Sequence, residues 1–144
     1  MSDANTAMDA MLALHSWAVV GLSPNASRHS HEVSGDLQAA GYRIVPVNPM
    51  IAGETVLGEA VYPTLDAAAR AGIDIDVVNV FRRSQFAGRH VDEAIAVGAA
   101  GVWLQLGVLD ADAIDRARAA GLHAVMDRCA AVERRSRGAS PAGS

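Results

Sequence analysis

Four helix-like segments of this chain stop at the same punctuation. Ala40-Gly41-Tyr42, Ala71-Gly72-Ile73, Val97-Gly98-Ala99 and Ala120-Gly121-Leu122 each set a glycine between a helical run and an apolar residue. Glycine in the left-handed C′ position ends a helix without steric cost. The apolar residue that follows opens a strand, so the repeated unit is helix, glycine, strand. Such units, joined by right-handed crossovers, build one parallel sheet with helices on both faces. The chain is therefore expected to be α/β, a three-layer α/β/α domain on a doubly wound parallel sheet.

Five runs read as strands: residues 16–22, 43–49, 73–81, 101–105 and 123–127. Each is nearly continuously apolar, the pattern of a strand covered on both faces. The expected strand order is 3-2-1-4-5, a Rossmann-like mononucleotide half with extra strands. Pro46 falls inside the second run. Proline cannot donate to a ladder, so it marks a bulge or a weak strand centre. Ser30, Thr64 and Ser84 read as helix N-caps, and Asp110 begins a further helix with Ala113, Ile114 and Ala117 on one face. Residues 51–62, with Gly53 and Gly58, read as a lid or flap beside the site. Met8, Met11 and Leu12 suggest a small amphipathic helix in a lead-in over residues 1–15. The domain proper is expected over 16–133, and the Arg-, Ser-, Gly- and Ala-rich stretch 134–144 reads as a disordered tail.

All twelve basic residues are arginine, against sixteen acidic ones, for a net charge of −4. That balance argues against nonspecific nucleic-acid binding, which takes a basic face. No apolar run approaches the roughly 20 residues of a membrane span. The first residues carry Asp3 and Asp9 and no basic cluster, unlike a secretory signal. The single cysteine, Cys129, excludes an internal disulfide and fits a cytoplasmic chain. An anionic ligand would have to be met by arginine.

Open α/β sheets bind ligands at the carboxyl ends of their strands, where the order reverses. In the expected order that point lies between the first and fourth strands. The first exit, residues 21–30, offers Gly21, small hydroxyls, Arg28 and a helix start. Backbone N–H groups, a helix dipole and a cation are the parts of a phosphate cradle. The other exits are Val47-Asn48-Pro49-Met50, Phe81-Arg82-Arg83-Ser84, Gln105-Leu106-Gly107-Val108 and Asp127-Arg128-Cys129. The G-x-G-x-x-G fingerprint and the P-loop are absent, as are HExxH, Cys-rich metal spacing and a G-x-S-x-G elbow.

Taken in order, these exits resemble those of the small, stand-alone CoA-binding domain proteins. That family is related to the CoA-binding Rossmann domain of succinyl-CoA synthetase. The resemblance rests on Val20-Gly21-Leu22-Ser23-Pro24 with Arg28 and Ser30, and on Gly41-Tyr42-Arg43-Ile44-Val45-Pro46-Val47-Asn48-Pro49. It continues through Asp76-Val77-Val78-Asn79-Val80-Phe81-Arg82, Val102-Trp103-Leu104-Gln105-Leu106-Gly107-Val108 and Val125-Met126-Asp127-Arg128-Cys129. It implies a bound coenzyme A or acyl-CoA. Gly21, Ser23, Pro24, Asn25, Arg28 and Ser30 would surround the phosphates, and Asn48, Pro49 and Met50 would border the adenosine. Phe81 and Arg82 would form the next wall, and Gln105, Leu106 and Gly107 would meet the pantetheine arm. The family commonly carries a lysine after the Asn-Pro pair, where this chain has Met50.

The resemblance thus points to a small-molecule binding protein, with no membrane or nucleic-acid partner and without evident independent catalysis. No His-plus-carboxylate pair for acyl transfer stands out. An NAD(P)- or nucleotide-dependent small enzyme is one alternative, weakened by Asn48 where an acidic residue would end the second strand. An acyl-CoA-responsive regulatory or assembly module is another. A homodimer or an unknown protein partner stays open. Cys129 has two readings, a buried small apolar residue or a thiol that forms a mixed disulfide with CoA. His15, His90 and His123 read as structural, His29 and His31 as surface residues, and Trp103 as core.

Overall fold

The structure is a computed structural model and describes residues 3–142. The chain runs through α1 (Ala4–Leu12), β1 (Ser16–Val20), α2 (His29–Ala39), β2 (Arg43–Val47), β3 (Thr55–Val56) and β4 (Glu59–Ala60). It continues through α3 (Leu65–Arg70), β5 (Val77–Val80), α4 (Ser84–Ala96), β6 (Gly101–Leu104), α5 (Ala111–Ala119), β7 (His123–Val125) and α6 (Ala130–Arg137). The four punctuating glycines all have positive φ, between 77° and 103°.

The doubly wound architecture is as expected; the strand order is not. The parallel sheet reads β2-β1-β5-β6-β7, so the third expected strand lies on the far side of β1. In the numbering of the expected strands, 3-2-1-4-5 becomes 2-1-3-4-5. Pro46 explains why. It pairs with Val19 in register, but its carbonyl points outward and accepts from Tyr62 N at 3.0 Å. Its missing N–H therefore costs the β1 ladder nothing, because it faces the side of β2 away from β1, where only the short Tyr62 bridge pairs. A parallel neighbour on that side would have lost a ladder bond.

Each face of the sheet has its own apolar cluster. α1, α2 and α6 supply Met8, Met11, Leu12, Val33, Leu37, Ala130 and Ala131 against Trp17, Val19, Val77 and Trp103. α3, α4 and α5 supply Leu65, Ala68, Ala87, Val91, Ala94, Ala113, Ile114 and Ala117 against Ala18, Val20, Val78, Val80, Val102 and Leu104. Trp17 and Trp103 are fully buried with ring centroids 5.6 Å apart. Both indole N–H groups are satisfied, by Leu14 O at 3.0 Å and Arg128 O at 2.9 Å. The buried Tyr42 hydroxyl donates to Leu12 O at 2.6 Å.

The lead-in forms α1, which packs hard on the sheet. A Cβ on Gly101 would stand 2.6 Å from Met11 Sδ and 3.2 Å from His123 O, so a larger residue there would force the buried Met11 side chain to move. The stretch expected as a disordered tail is ordered as far as it is described. Residues 134–137 are the last turn of α6, and Arg137 binds Asp9 at 2.9 Å and Asn5 Oδ1 at 2.8 Å. Gly138, at φ 60°, ends the helix, and Ala142 N bonds back to Ala13 O. A composition poor in apolar residues here reflects a helix docked by ion pairs rather than an unfolded chain. Residues 143 and 144 lie outside the described residues.

The segment read as a lid is a short 3-10 turn (Pro49–Ile51) followed by the β3–β4 hairpin. Val56 and Val61 are buried in the core, and Tyr62 bridges to Val47, so the hairpin extends the outer edge of β2.

Candidate functional site

The order reverses between β1 and β5, not between the first and fourth expected strands. The crevice outside their carboxyl ends is where this architecture receives ligands. Gly21 stands at that point with φ +86°. A Cβ there would lie 2.9 Å from Phe81 O and 3.2 Å from Arg82 Cδ, so the two exits approach as closely as glycine allows. Two cavities meet at this residue.

The first cavity, about 430 Å³ and open, is lined by Gly21, Ser23, Arg28, His29, Ser30 and Phe81. The loop above it is held by its own side chains. Ser23 N donates to Ser30 Oγ at 3.0 Å, Asn25 N to Ser23 Oγ, and Ser27 N to Asn25 Oδ1. Ser30 is thus not an N-cap. It sits in the first turn of α2 and ties the helix to the loop, while Arg28 takes the cap position without a side-chain bond. The His29 and Ser30 amides find no acceptor among the described residues. Unpartnered N–H groups at a helix start favour an anion.

The second cavity, about 140 Å³ and more enclosed, lies on the α3–α4 side. Val20, Val47, Pro49, Pro63 and Leu65 give it apolar walls, and Thr64, Arg82, Arg89, His90 and Glu93 add polar groups. Thr64 caps α3 as expected, its Oγ1 accepting from Ala67 N at 3.0 Å. His90, read as structural, pairs with Glu93 one helical turn on, with Nδ1 and Oε1 2.6 Å apart.

The other exits resolve as follows. Asn48 donates to Leu22 O and accepts from Met50 N, each at 3.0 Å, so its amide links the first two exits. Pro24 and Asn25 are exposed, and Met50 projects into solvent at 86% exposure. Arg82 lies 5.1 Å over the Phe86 ring. Gln105 is 1% exposed and donates to Asn79 Oδ1 at 3.0 Å; in this conformation it braces β6 against β5 instead of lining a groove. Leu106 and Gly107 are exposed, and Gly107 N donates to Asp127 Oδ1 at 2.8 Å. Ser84 is not an N-cap either: its Oγ accepts from Leu109 N at 2.9 Å and fixes this loop. Cys129 is 8% exposed, with Sγ 3.9 Å from His29 Nε2.

The arginines divide into two groups. Seven have a protein partner for the guanidinium: Arg70, Arg116, Arg118, Arg128, Arg134, Arg135 and Arg137. Among the described residues Arg28, Arg43, Arg82, Arg83 and Arg89 have neither an ion pair nor a side-chain hydrogen bond. Four of these five stand at the carboxyl end of the sheet, two of them after β5 and one in each of α4 and the first loop. As lining of the candidate site, Arg89, Thr64 and the His90–Glu93 pair are not among the residues the sequence motifs single out. The signal was present in α4, where Ala87, Val91 and Ala94 fix the buried stripe and leave Arg89, His90 and Glu93 off it.

Known proteins resemble this chain in sequence and fold. A family model described as "CoA binding domain" matches residues 15–135. The uncharacterized protein YneT of Bacillus subtilis is 39% identical over 117 residues, covering 80% of this chain and 82% of that protein. A hypothetical protein from Pyrococcus horikoshii of known structure is 30% identical, with TM-score 0.82 over 94% of this chain and 92% of its own. The fold alone is shared with a dinucleotide-forming acetyl-coenzyme A synthetase of Ca. Korarchaeum cryptofilum, at 17% identity and TM-score 0.66. That match covers 82% of this chain and 27% of the synthetase. Among the described residues no helix is long and apolar enough to cross a membrane.

Proposed function

The chain belongs to the CoA-binding domain family, and from that premise we propose that it binds coenzyme A or an acyl-CoA across the carboxyl ends of β1, β5 and β6. The observation that carries this reading is the pair of cavities meeting at Gly21, one lined by Arg28 and the other by Arg82 and Arg89, none of which has an ion-pair partner among the described residues. The diphosphate belongs in the open cavity, against the His29 and Ser30 amides and Arg28. Charge-assisted bonds from a guanidinium fork and a helix start suit it. The adenosine belongs in the enclosed cavity between Pro49 and the start of α3. The pantetheine arm then runs past Phe81 toward exposed Leu106 and Gly107, where its methylene and methyl groups meet the Leu106 side chain.

The reading is one of binding, with the acyl end presented at the β6–β7 side. Asn48 offers no carboxylate to a ribose, as dinucleotide sites of this architecture do, and its amide is already engaged. Cys129 sits in the α1–α2–α6 core, which favours its structural reading.

The test is calorimetry and thermal shift with CoA, acetyl-CoA, longer acyl-CoAs, NAD, NADP and ATP. A ligand at about 100 times its dissociation constant stabilises the fold by roughly 2.7 kcal/mol. CoA or an acyl-CoA is expected to do so, and Arg28→Ala to weaken it while leaving the apo melting point unchanged. A shift with NAD and none with saturating CoA would overturn the proposal.

A further inference from the structure

We infer that the enclosed cavity selects a nucleotide bearing a phosphate monoester on its ribose, and that Arg89 is the specificity-determining residue. This rests on the CoA reading above and deepens it.

The apolar walls, Val20, Val47, Pro49 and Pro63, offer contact to a base or sugar but nothing to a dianion. Two guanidiniums line the same cavity, Arg82 from the β5 exit and Arg89 from the second turn of α4. Neither has an ion-pair partner among the described residues. Glu93 is the one carboxylate in the lining, and it is held by His90 at 2.6 Å. The cavity therefore carries uncompensated positive charge.

A phosphate monoester carries about −1.5 to −2 charges near neutral pH, more than a phosphodiester oxygen offers. The open cavity already has Arg28 and the α2 amides for the diphosphate. A second cationic group in a separate cavity calls for a second anionic group on the same ligand. On the β2 side Met50 supplies no charge and points into solvent, so the cation has to come from across the crevice. Arg89 is exposed and partnerless on that wall, free to form a bidentate fork with the phosphate. Arg82 is less free, because it lies over Phe86 and against Gly21.

The experiment compares calorimetric affinities for CoA and dephospho-CoA, which differ only in this phosphate. Wild type is expected to favour CoA by about tenfold or more, the range of a charge-assisted pair. Arg89→Ala should bring that ratio close to one, with the affinity for dephospho-CoA changed less than about twofold. Arg89→Lys should recover part of the ratio, since a point charge replaces a fork. The apo melting point of both variants should match wild type. Equal affinity of wild type for the two nucleotides, or an unchanged ratio in Arg89→Ala, would overturn this inference and leave CoA binding intact. Binding of neither nucleotide would overturn both.

Discussion

Replacing Gly21 by alanine isolates the close approach on which the crevice depends. Gly21 and Gly53 have the same φ, +86°, in the region that strains any residue with a Cβ. The left-handed conformation costs a non-glycine residue about 1–2 kcal/mol. At Gly53 nothing lies within 4 Å of the added Cβ, and that strain is the whole cost. At Gly21 the Cβ also meets Phe81 O at 2.9 Å, a backbone atom that cannot swing aside. Overpacking of this kind adds about 1–3 kcal/mol. Gly53→Ala should therefore cost about 1–2 kcal/mol and Gly21→Ala about 2–5 kcal/mol. For 144 residues the unfolding entropy is about 0.3 kcal/mol/K, so each kcal/mol moves the melting point by about 3 °C. Differential scanning calorimetry should show falls of about 3–7 °C for Gly53→Ala and about 7–16 °C for Gly21→Ala. Equal falls for the two variants would show that the β1 and β5 exits are not packed as described, and the crevice argument would fail with them.

The remaining predictions draw on other parts of the fold. Trp103→Ala, at a fully buried ring, should cost about 3–5 kcal/mol, read as a melting-point fall of about 10 °C or more. Thr64→Ala removes the cap of α3 and should cost about 1 kcal/mol, with Thr64→Ser close to wild type. Burial holds the Tyr42 phenol protonated above its ordinary value of 10.0, so its contribution is complete below about pH 10 and fades as pH rises through the higher folded value. Melting curves between neutral and strongly alkaline pH should fall more steeply for wild type than for Tyr42→Phe; parallel curves would contradict this. Cys129, 8% exposed, should take up no CoA-sized mass from CoA disulfide in the native protein and react fully in denaturant; a reductant-sensitive adduct on the native protein would revive the thiol reading.

The fold was legible where one local rule determined one outcome. The glycine stops gave four helix ends, and Thr64 and Asp110 cap as a side-chain oxygen before a helix should. Ser30 and Ser84 look the same in sequence but sit one or two residues inside their helices. Their hydroxyls bond across the chain to Ser23 and Leu109, which no local pattern reveals. Strand order is likewise a global property, yet Pro46 constrained it. A residue that cannot donate belongs on an edge, and placing the second strand between two parallel neighbours ignored that. The tail was misjudged because composition does not show that Arg137 has Asp9, Asn5 and Glu133 to bind.

The site was legible as a set of loops but not as a set of side chains. Gln105 and Asn48 stand at strand exits and yet bond inward, because a loop that carries a ligand must itself be held. The residues left for the ligand are those the scaffold does not use. Arginine makes the distinction visible: its charge cannot be shed, so a guanidinium without a partner is kept either in water or for an anion. Seven arginines brace helices, loops or the docked C-terminal segment, and of the other five only Arg43 lies at the opposite end of its strand. Surface chance would scatter partnerless cations over both ends of the sheet. Their concentration at the carboxyl end, in a chain of net charge −4, makes this rim a local exception to the protein's overall charge. An anionic ligand approaching an acidic protein meets local attraction there. Association with the proposed nucleotide should therefore slow as ionic strength rises, and Arg28→Ala and Arg89→Ala should each flatten that dependence in stopped-flow binding. A salt-independent on-rate in wild type would mean that these arginines do not face the arriving phosphates.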